Sequence, residues 1–183
     1  MCGIAGFMGP DVVSTEARPW LVPMIHPLAH RGPDGFGLHA APSIGLAHAR
    51  LSIIDLSTGD QPIHNPRRTV WTVFNGEIFN FVELRQMLEA KGHQFYTQSD
   101  TEVIVHLYDR YGEDFVQHLN GQFAIALWDS ERQRLVLARD RAGIRPLYYT
   151  RQRGRLWFAS EVKSLLAVLP ECAHLEPQAL MQT

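Results

Sequence analysis

The chain begins with MCGIAG at residues 1–6, a run that places a cysteine directly after the first methionine. Removal of Met1 would leave Cys2 with a thiol and a free α-amino group on the same residue. The thiolate is the nucleophilic form of cysteine, and an α-amino group with a pKa of about 7.7–8.0 can accept the thiol proton near neutral pH. The other interpretation is an accidental cysteine in a buried first strand, since cysteine is often buried. The hexamer alone leaves both interpretations open.

Length and composition indicate one globular domain. The 183 residues are 45% hydrophobic and 20% charged, with a formal net charge of -2, and a chain of this length can bury a sizeable core. The charge gives no argument for a nucleic-acid partner or for an anionic membrane. No apolar stretch is long enough to span a bilayer, and the N-terminus lacks the pattern of a signal peptide. We therefore expect a soluble, cytoplasmic protein.

Cysteine and histidine usage does not indicate a metal site. The two cysteines are Cys2 and Cys172, and their spacing does not require a disulfide. The nine histidines are scattered along the chain. None of the paired cysteine or histidine spacings typical of metal sites occurs. We predict no metal ligand in this chain.

Short β-type runs dominate the chain and predict a sheet-rich domain. Two pairs of runs predict hairpins, one around the polar turn at residues 129–134 and one around residues 151–154. In the second turn, Gly154 can take the positive φ that a tight hairpin turn needs. The predicted strands are residues 4–8, 43–47, 70–74, 122–128, 135–139, 147–150 and 156–159.

Capping signals between these runs predict three helices. Asn80 can cap a helix over residues 81–91. Residues 99–102 form a capping-box pattern before a helix that Gly112 ends. A third helix is predicted after Ser160. Strands, hairpins and helices in this mixed order favour an α+β fold over a parallel doubly wound sheet.

Residues 20–29 carry two conflicting signals. Their apolar spacing is helical, yet Pro23 and Pro27 lie inside the segment. Because a proline inside a helix costs about 3 kcal/mol, we expect a short, kinked or broken helix there.

Four polar clusters lie where loops or element ends are expected, the usual position of functional residues. They are residues 30–35, 47–55, 74–80 and 99–102. Arg50 is a lone cation in an apolar run, and its guanidinium is well matched to a carboxylate. Asn75 can offer its side-chain amide, and Gly76 its backbone N–H, to a developing oxyanion.

Two acids complete this set of groups. Glu77 can accept a hydrogen bond from an amide or an ammonium, and Asp100 can meet a substrate α-amino group. Together with Cys2, these groups suit an α-amino acid that has a carbonyl in its side chain. Simpler structural interpretations stay open: a hairpin turn at residues 75–76, a helix-terminus charge at Asp100, and ion pairs of Arg50 with Asp55 or Asp60 and within residues 139–141.

The clusters together resemble the class II glutamine amidotransferase domain, an N-terminal-nucleophile fold, and in particular the N-terminal domain of glutamine-hydrolysing asparagine synthetases. The matching motifs follow the family's order over nearly the whole chain. They are MCGIAG from Met1, RGPDG from Arg31, HARLSIIDLSTGDQPI from His48, FNGEIFN from Phe74, SDTEVI from Ser99, LNGQFAIALWD from Leu119, RDRAGIRPLYY from Arg139 and FASEVKSLL from Phe158. The resemblance implies a four-layer sandwich in which two antiparallel β-sheets lie between helical layers.

The resemblance also implies a role for each matching residue. Cys2, freed of Met1, would attack the side-chain amide of L-glutamine with its own α-amine as base. Ammonia would leave, and water would hydrolyse the resulting thioester to glutamate. The implied catalytic residues are Cys2, Asn75 and Gly76, with Asn75 and Gly76 as the oxyanion hole. The implied substrate-binding residues are Arg50, Leu51, Ile53, Glu77 and Asp100.

Domain boundaries follow from the same resemblance. Residues 1–170 correspond to the glutaminase domain, and residues 171–183 to the start of a connector to a synthetase domain absent from this chain. The phosphate-binding Ser-Gly-Gly-x-Asp-Ser string of that domain does not occur here, so we expect no cofactor in this chain, with ATP and Mg²⁺ only in the absent domain. The chain would be a fragment or a subunit that docks on a synthetase, through a surface around its tail and residues 139–149.

Two main functions are compatible with these residues. The favoured prediction is an enzyme, a glutaminase that supplies ammonia to an ATP-dependent synthetase domain or subunit of the asparagine-synthetase type. The alternative is a non-catalytic module that binds glutamine, which would follow if Met1 is retained. A self-cleaving N-terminal-nucleophile hydrolase fits less well, because only Met1 precedes the nucleophile. The acceptor of the ammonia is left open.

Overall fold

Two antiparallel sheets form the centre of the structure. The computed structural model describes residues 1–10 and 14–174. The first sheet has the strand order β2-β3-β1-β9-β8, and the second has the order β4-β5-β6-β7. The strands are β1 Gly3–Met8, β2 Gly35–Ala41, β3 Ile44–Arg50, β4 Ile63–His64, β5 Val70–Ile78, β6 Gly121–Asp129, β7 Arg134–Arg139, β8 Tyr148–Gln152 and β9 Arg155–Ala159.

Helices cover the outer face of each sheet. They are α1 Ser14–Ile25, α2 Phe81–Glu89, α3 Glu102–Tyr111 and α4 Val162–Leu166. Helices α1 and α4 share an apolar cluster with the first sheet, through residues such as Leu21, Leu165 and Trp157. Helices α2 and α3 share another with the second sheet, through residues such as Leu88 and Ile125. The layer order is therefore helix, sheet, sheet, helix, which confirms the predicted α+β sandwich.

A third apolar cluster joins the two sheets to each other. Ile4, Leu46 and Phe158 of the first sheet pack in it against Val73 and Trp128 of the second. Because successive side chains of a strand point to opposite faces, residues two apart share this inner face. The strands carry their inner face past the cluster to one end of the sandwich, where the polar residues described below lie.

Strand β5 is longer than the sequence predicted. The expected strand ended at residue 74, with residues 75–80 in a loop, whereas β5 continues to Ile78 and pairs with β6 along its whole length. Asn75 and Gly76 therefore lie inside a strand, and the hairpin-turn interpretation of this dipeptide is wrong. A Cβ on Gly76 would lie 2.1 Å from the Gln122 carbonyl oxygen, so close strand approach requires glycine here.

Both predicted hairpins are confirmed. Strands β6 and β7 pair from Asp129 with Arg134, and β8 and β9 pair from Gln152 with Arg155. The second turn has positive φ at Gly154, as expected. Strands β2 and β4 were not predicted. β2 is an edge strand with partly exposed residues, and β4 has only two residues, so neither gives a clear alternating pattern.

The three predicted helices form, but the predicted caps do not. The Asn80 side chain makes no cap hydrogen bond and instead contacts the His118 carbonyl and the Asn120 N–H. The capping box before α3 also does not form, because the Glu102 carboxylate accepts the Thr97 N–H, although the Ser99 hydroxyl accepts the Thr101 N–H. At α2, tertiary contacts have therefore replaced the local cap that the pattern suggested.

The proline-containing segment stays helical further than expected. Helix α1 contains Pro19 and Pro23 and runs to Ile25. A 3₁₀ turn, His26–Leu28, follows and contains Pro27. The break predicted within residues 20–29 therefore occurs only near Pro27, where the helix tightens before it ends.

The inter-sheet cluster predicts a stability test. Replacing the fully buried Phe158 by alanine leaves a cavity between the sheets, so Phe158→Ala should lower the free energy of unfolding by about 3–5 kcal/mol. The matched control is Tyr149→Ala, since Tyr149 is the exposed cross-strand partner of Phe158 and its loss should cost less than about 1 kcal/mol. Chemical denaturation measures both, and equal losses would contradict this packing.

Candidate active site

The eight predicted site residues line a single cavity at one end of the sandwich. The cavity also contains other polar residues that the sequence analysis did not assign. The predicted residues in its lining are Cys2, Arg50, Leu51, Ile53, Asn75, Gly76, Glu77 and Asp100. Strand alternation explains part of the set, because Cys2 continues the inner face of Ile4, and Asn75 continues that of Val73. The inner face is thus apolar along most of the sandwich and polar at this end.

Cys2 lies just before β1, half-buried in the cavity. Its Sγ is 3.4 Å from the Leu51 nitrogen and 3.5 Å from the Leu51 carbonyl oxygen. Burial raises the pKa of the Cys2 thiol, although the Leu51 N–H and the charge of Arg50 act in the opposite direction. The thiol therefore needs a nearby base to become a nucleophile at neutral pH. Met1 lies beside it in the same cavity and is 52% exposed.

The backbone of Cys2 is held by an arginine that the sequence analysis did not assign. The Arg31 Nε donates to the Cys2 carbonyl oxygen at 2.9 Å, and its Nη1 donates to Glu161 at 2.9 Å. Partial burial of Glu161 acts to raise its pKa, but hydrogen bonds from Arg31, Lys163 and His30 outweigh it and lower the pKa to about 2. Glu161 is thus ionised across the neutral range and anchors Arg31.

The free edge of β5 presents a backbone donor to the cavity. The Phe74 N–H donates to the side-chain oxygen of Gln61, and the Ile78 N–H donates to the Asp100 carboxylate. Both N–H groups therefore point away from β6. Since backbone direction alternates along a strand, the Gly76 N–H between them points to the same edge and into the cavity.

The Asn75 side chain supplies a second donor. Asn75 is 1% exposed, and its Nδ2 has no hydrogen-bond partner among the described residues. A buried polar atom without a partner costs about 1–3 kcal/mol, so such an atom calls for an explanation. A negative oxygen placed in the cavity would receive hydrogen bonds from both Asn75 and Gly76.

Asp100 faces the cavity from the loop before α3. It is 4% exposed and accepts the Ile78 N–H at 3.0 Å. Burial raises its pKa to about 6, with a contribution from the charge of Glu77, while the Ile78 N–H acts against the shift. Asp100 is more than a charge at a helix terminus, because it is buried, bonded to another element and shares the cavity with Glu77.

Arg50 reaches the cavity from the end of β3 and already has partners. Its Nη1 donates to Asp60 at 2.6 Å, and its Nη2 donates to the Asp55 carbonyl oxygen. The pairing with Asp60 that the sequence left open is therefore present. Asp60 is exposed, and its charge is therefore well solvated, whereas Arg50 is buried. A carboxylate entering the cavity would compete for Arg50 with a partner that water can stabilise.

His48 and Arg145 also lie in the cavity lining and were not assigned from the sequence. His48 is fully buried on β3, and neither ring nitrogen has a partner among the described residues. Burial lowers its pKa to about 3, so the imidazole is neutral. The side chain of Arg145 contacts the Met1 sulfur. The only sequence signal for His48 was its place two residues before Arg50, which puts both on the inner face.

The suggested surface ion pair within residues 139–141 is wrong. Asp140 is 7% exposed and accepts the backbone N–H groups of Phe123, Ile144 and Arg145. Arg139 donates to the Gly143 and Arg145 carbonyls. Asp140 and Arg139 thus bind the backbone of the turn that follows β7 and do not form a surface ion pair.

Three further observations concern metal, disulfide and membrane. Within residues 1–10 and 14–174, no group of three or more histidine, cysteine or acidic side chains is placed to hold a metal ion. Cys2 and Cys172 are both free thiols. In the same ranges, no helix is both long enough and apolar enough to cross a bilayer.

The raised pKa of Asp100 predicts an effect on stability. Between about pH 4 and 6 the folded chain holds a proton on Asp100 that the unfolded chain has lost, so this carboxyl lowers stability as the pH rises. Asp100→Asn should therefore increase the free energy of unfolding at pH 7, by roughly 1–3 kcal/mol, with the gain disappearing below about pH 4. Urea denaturation across this pH range measures the difference.

Asp140→Asn is the matched control for that prediction. Three backbone N–H groups outweigh the burial of Asp140 and lower its pKa, so its stabilising effect is present at neutral pH and is lost in acid. The two substitutions should therefore act in opposite directions at pH 7. A loss of stability in Asp100→Asn at pH 7 would contradict the assigned pKa.

Comparisons with known proteins agree with this arrangement. The family model described as "Glutamine amidotransferase domain" matches residues 1–183. An asparagine synthetase (glutamine-hydrolyzing) of Zea mays is 46% identical over 166 residues, which are 90% of this chain and 28% of that protein. The "Amidase chyE" of Penicillium rubens is 43% identical over 178 residues, covering 91% of this chain and 26% of that protein.

A solved structure shows the same fold. The structure superposes on the glutamine phosphoribosylpyrophosphate amidotransferase from B. subtilis with a TM-score of 0.75 and 24% identity, covering 91% of this chain and 43% of that one. The chain spans less than a third of the length of the two curated relatives. By its full-length match, this chain belongs to the glutamine amidotransferase domain family, in the class II group, and is similar in sequence to the N-terminal part of asparagine synthetases.

Proposed function

We propose that this chain is a glutaminase that hydrolyses L-glutamine to glutamate and ammonia at Cys2. The observation that carries the proposal is the single cavity, which places the Cys2 thiol with two unused hydrogen-bond donors, Asn75 Nδ2 and the Gly76 N–H. A nucleophile beside such donors suits attack on an amide carbonyl. The family membership of the chain supports the same reaction.

The proposed reaction starts after Met1 is removed. The new α-amine of Cys2 takes the thiol proton, and the thiolate attacks the side-chain carbonyl carbon of glutamine. The carbonyl oxygen becomes negative and accepts hydrogen bonds from Asn75 and Gly76. The protonated amine then gives its proton to the amide nitrogen, the carbon–nitrogen bond breaks and ammonia leaves. The same amine then takes a proton from water, and the hydroxide attacks the thioester carbon. The carbon–sulfur bond breaks, glutamate leaves, and the protonated amine returns the proton to the Cys2 sulfur.

The charged residues of the cavity suit the two ends of a free amino acid. Asp100 and Glu77 would bind the α-ammonium group, which also favours the ionised form of Asp100. Arg50 would bind the α-carboxylate, in place of or beside its exposed partner Asp60. Backbone groups near Leu51 and Ile53 would complete the pocket. These assignments are proposals that binding measurements can test.

The proposal includes a partner that uses the ammonia. Because the chain spans less than a third of its curated relatives, we propose that it serves an ATP-dependent synthetase domain or subunit, with ATP and Mg²⁺ bound there. Residues 171–183 would begin the connector, although residues 175–183 lie outside the described part of the chain. Ile144 and Tyr149, both exposed, belong to the predicted docking segment. A cytoplasmic location stays a prediction.

A non-catalytic glutamine-binding or regulatory module is the alternative, and it would follow if Met1 is retained. A chain that keeps Met1 has an amide in place of the Cys2 amine and so lacks the proposed base. The state of the N-terminus therefore separates the two functions.

Intact-mass analysis tests the proposal directly. The purified chain should have lost Met1, and a diazo-ketone analogue of glutamine should add to it once. The adduct should be absent from Cys2→Ala and present in Cys172→Ala, which removes the only other cysteine. Retention of Met1 without an adduct would contradict the glutaminase and favour the binding module.

The oxyanion assignment predicts a rate effect. Asn75→Ala removes one of two donors, so the kcat for glutamine hydrolysis should fall roughly 10²–10³-fold. Asn65→Ala is the control, because Asn65 is equally buried but bonds to Asp109 away from the cavity. It should lower stability and leave kcat unchanged. Equal kcat values for the two variants would rule out this role for Asn75.

A further inference from the structure

A buried glutamine links the two halves of the cavity lining. Gln61 is 8% exposed and lies just before the two-residue strand β4. Its Oε1 accepts the Phe74 N–H at 2.7 Å, and its Nε2 donates to the Thr101 Oγ1 at 3.2 Å. Since a backbone N–H can only donate, the orientation of the Gln61 amide is fixed. Both functional ends of one side chain are therefore used, on two different elements.

These contacts form part of a longer chain of hydrogen bonds. Thr101 Oγ1 lies 3.5 Å from Asp100 Oδ1, and the other Asp100 oxygen accepts the Ile78 N–H. These hydrogen bonds thus run from the Phe74 N–H on β5 through Gln61, Thr101 and Asp100 to the Ile78 N–H on β5. One N–H on this edge lies between Phe74 and Ile78, that of Gly76.

Gln61 substitutes for a neighbouring strand at this edge. Strand β4 pairs only with Trp71 and Thr72, so the N–H groups beyond Thr72 on this edge have no ladder partner there. A buried N–H without a partner is costly, and Gln61 satisfies the first of them. It leaves the Gly76 N–H, two residues further on, available to a ligand.

We propose that Gln61 is a positioning residue for glutamine hydrolysis, an inference that rests on the proposed function. It holds the oxyanion donors of β5 and the ammonium-binding Asp100 at a fixed separation, so that one substrate molecule meets both. Gln61 does not touch the reacting atoms and acts through Phe74 on one side and Thr101 on the other. Displacement by about 1 Å of groups that position a substrate can cost about 10²-fold in rate.

Two substitutions separate the two functions of the side chain. Gln61→Met is similar in shape and removes both hydrogen bonds. Gln61→Glu keeps the acceptor for the Phe74 N–H but removes the donor to Thr101 and adds a negative charge near Asp100. The control is Thr72→Val. Thr72 lies on β5, as Phe74 does, and its substitution removes a buried hydrogen bond to the Ala126 carbonyl of β6, away from the cavity.

Steady-state kinetics, with rates normalised to the fraction of sites that the glutamine analogue labels, separates effects on kcat from effects on KM. Gln61→Met should lower kcat and raise KM, so that kcat/KM falls about 10–100-fold. Gln61→Glu should retain more of kcat but raise KM, and the pH below which KM rises should move above about 6, the pKa of Asp100. Thr72→Val should change neither constant. If Gln61→Met lowers only stability or the labelled fraction, as Thr72→Val does, the inference is overturned.

A measurement without turnover keeps this inference separate from the proposed function. In nuclear magnetic resonance spectra, the amide signals of Gly76 and Ile78 should shift in Gln61→Met and stay in place in Thr72→Val. Unchanged signals in Gln61→Met would overturn the positioning role, even in an active enzyme. A wild-type chain without glutaminase activity would contradict the proposed function, while shifted signals would still support the link between the two halves of the cavity.

Discussion

Backbone N–H groups on the edge of β5 beyond Thr72 have no neighbouring strand to pair with. A buried N–H group that lacks a hydrogen-bond partner lowers the stability of the fold, so each of these groups needs another acceptor. The protein satisfies two of these groups with side chains, Gln61 at Phe74 and Asp100 at Ile78. On the proposed function, the third, on Gly76, is available to a ligand. The short length of β4 would then be what creates the site, because a full-length neighbour would have used all three donors in a ladder.

The charges of the site differ in how fully the fold satisfies them. Burial acts to raise the pKa of Glu102, but hydrogen bonds from His106, from the Thr97 hydroxyl and from the Tyr96 and Thr97 N–H groups outweigh it and lower the pKa. Asp100 is similarly buried but keeps a raised pKa. The hydrogen bonds that Asp100 accepts do not offset its burial, and the charge of the nearby Glu77 raises the pKa further. A fully satisfied carboxylate fixes the start of α3, while an under-satisfied one retains attraction for a cation. On the proposed function, the binding role of Asp100 would thus coincide with a local cost in stability.

The sequence predicted the α+β class and the hairpins better than it predicted local geometry, and the residues it nominated for the site line one cavity. Strands with alternating apolar residues and tight turns, such as the hairpin at Gly154, carry their information locally. The start of α2 does not depend on local residues alone, since the Asn80 side chain accepts the N–H of Asn120, 40 residues further along the chain. A local sequence pattern cannot indicate such a partner. The positioning role proposed for Gln61 was missed for the same reason, because it depends on contacts with Phe74 and Thr101 that the sequence pattern does not show. Residues 75–76 were predicted outside the strand because Asn-Gly is typical of turns. In this fold the glycine is needed within β5, since the neighbouring strand approaches too closely for a side chain.

The environment of Cys2 explains why its position in the chain matters chemically. Burial raises the pKa of the thiol, the Leu51 N–H and the positive charges of the N-terminus and Arg50 act to lower it, and the charge of Asp100 acts to raise it. The fully buried His48 is held neutral by burial, with a pKa of about 3, and accepts no hydrogen bond from the Cys2 thiol. On the proposed mechanism, the base is the amine of Cys2 itself, which is covalently fixed near the sulfur and needs no separate residue to position it. The removal of Met1 would then both create that base and clear the cavity, so a single processing step would convert an inert thiol into a nucleophile.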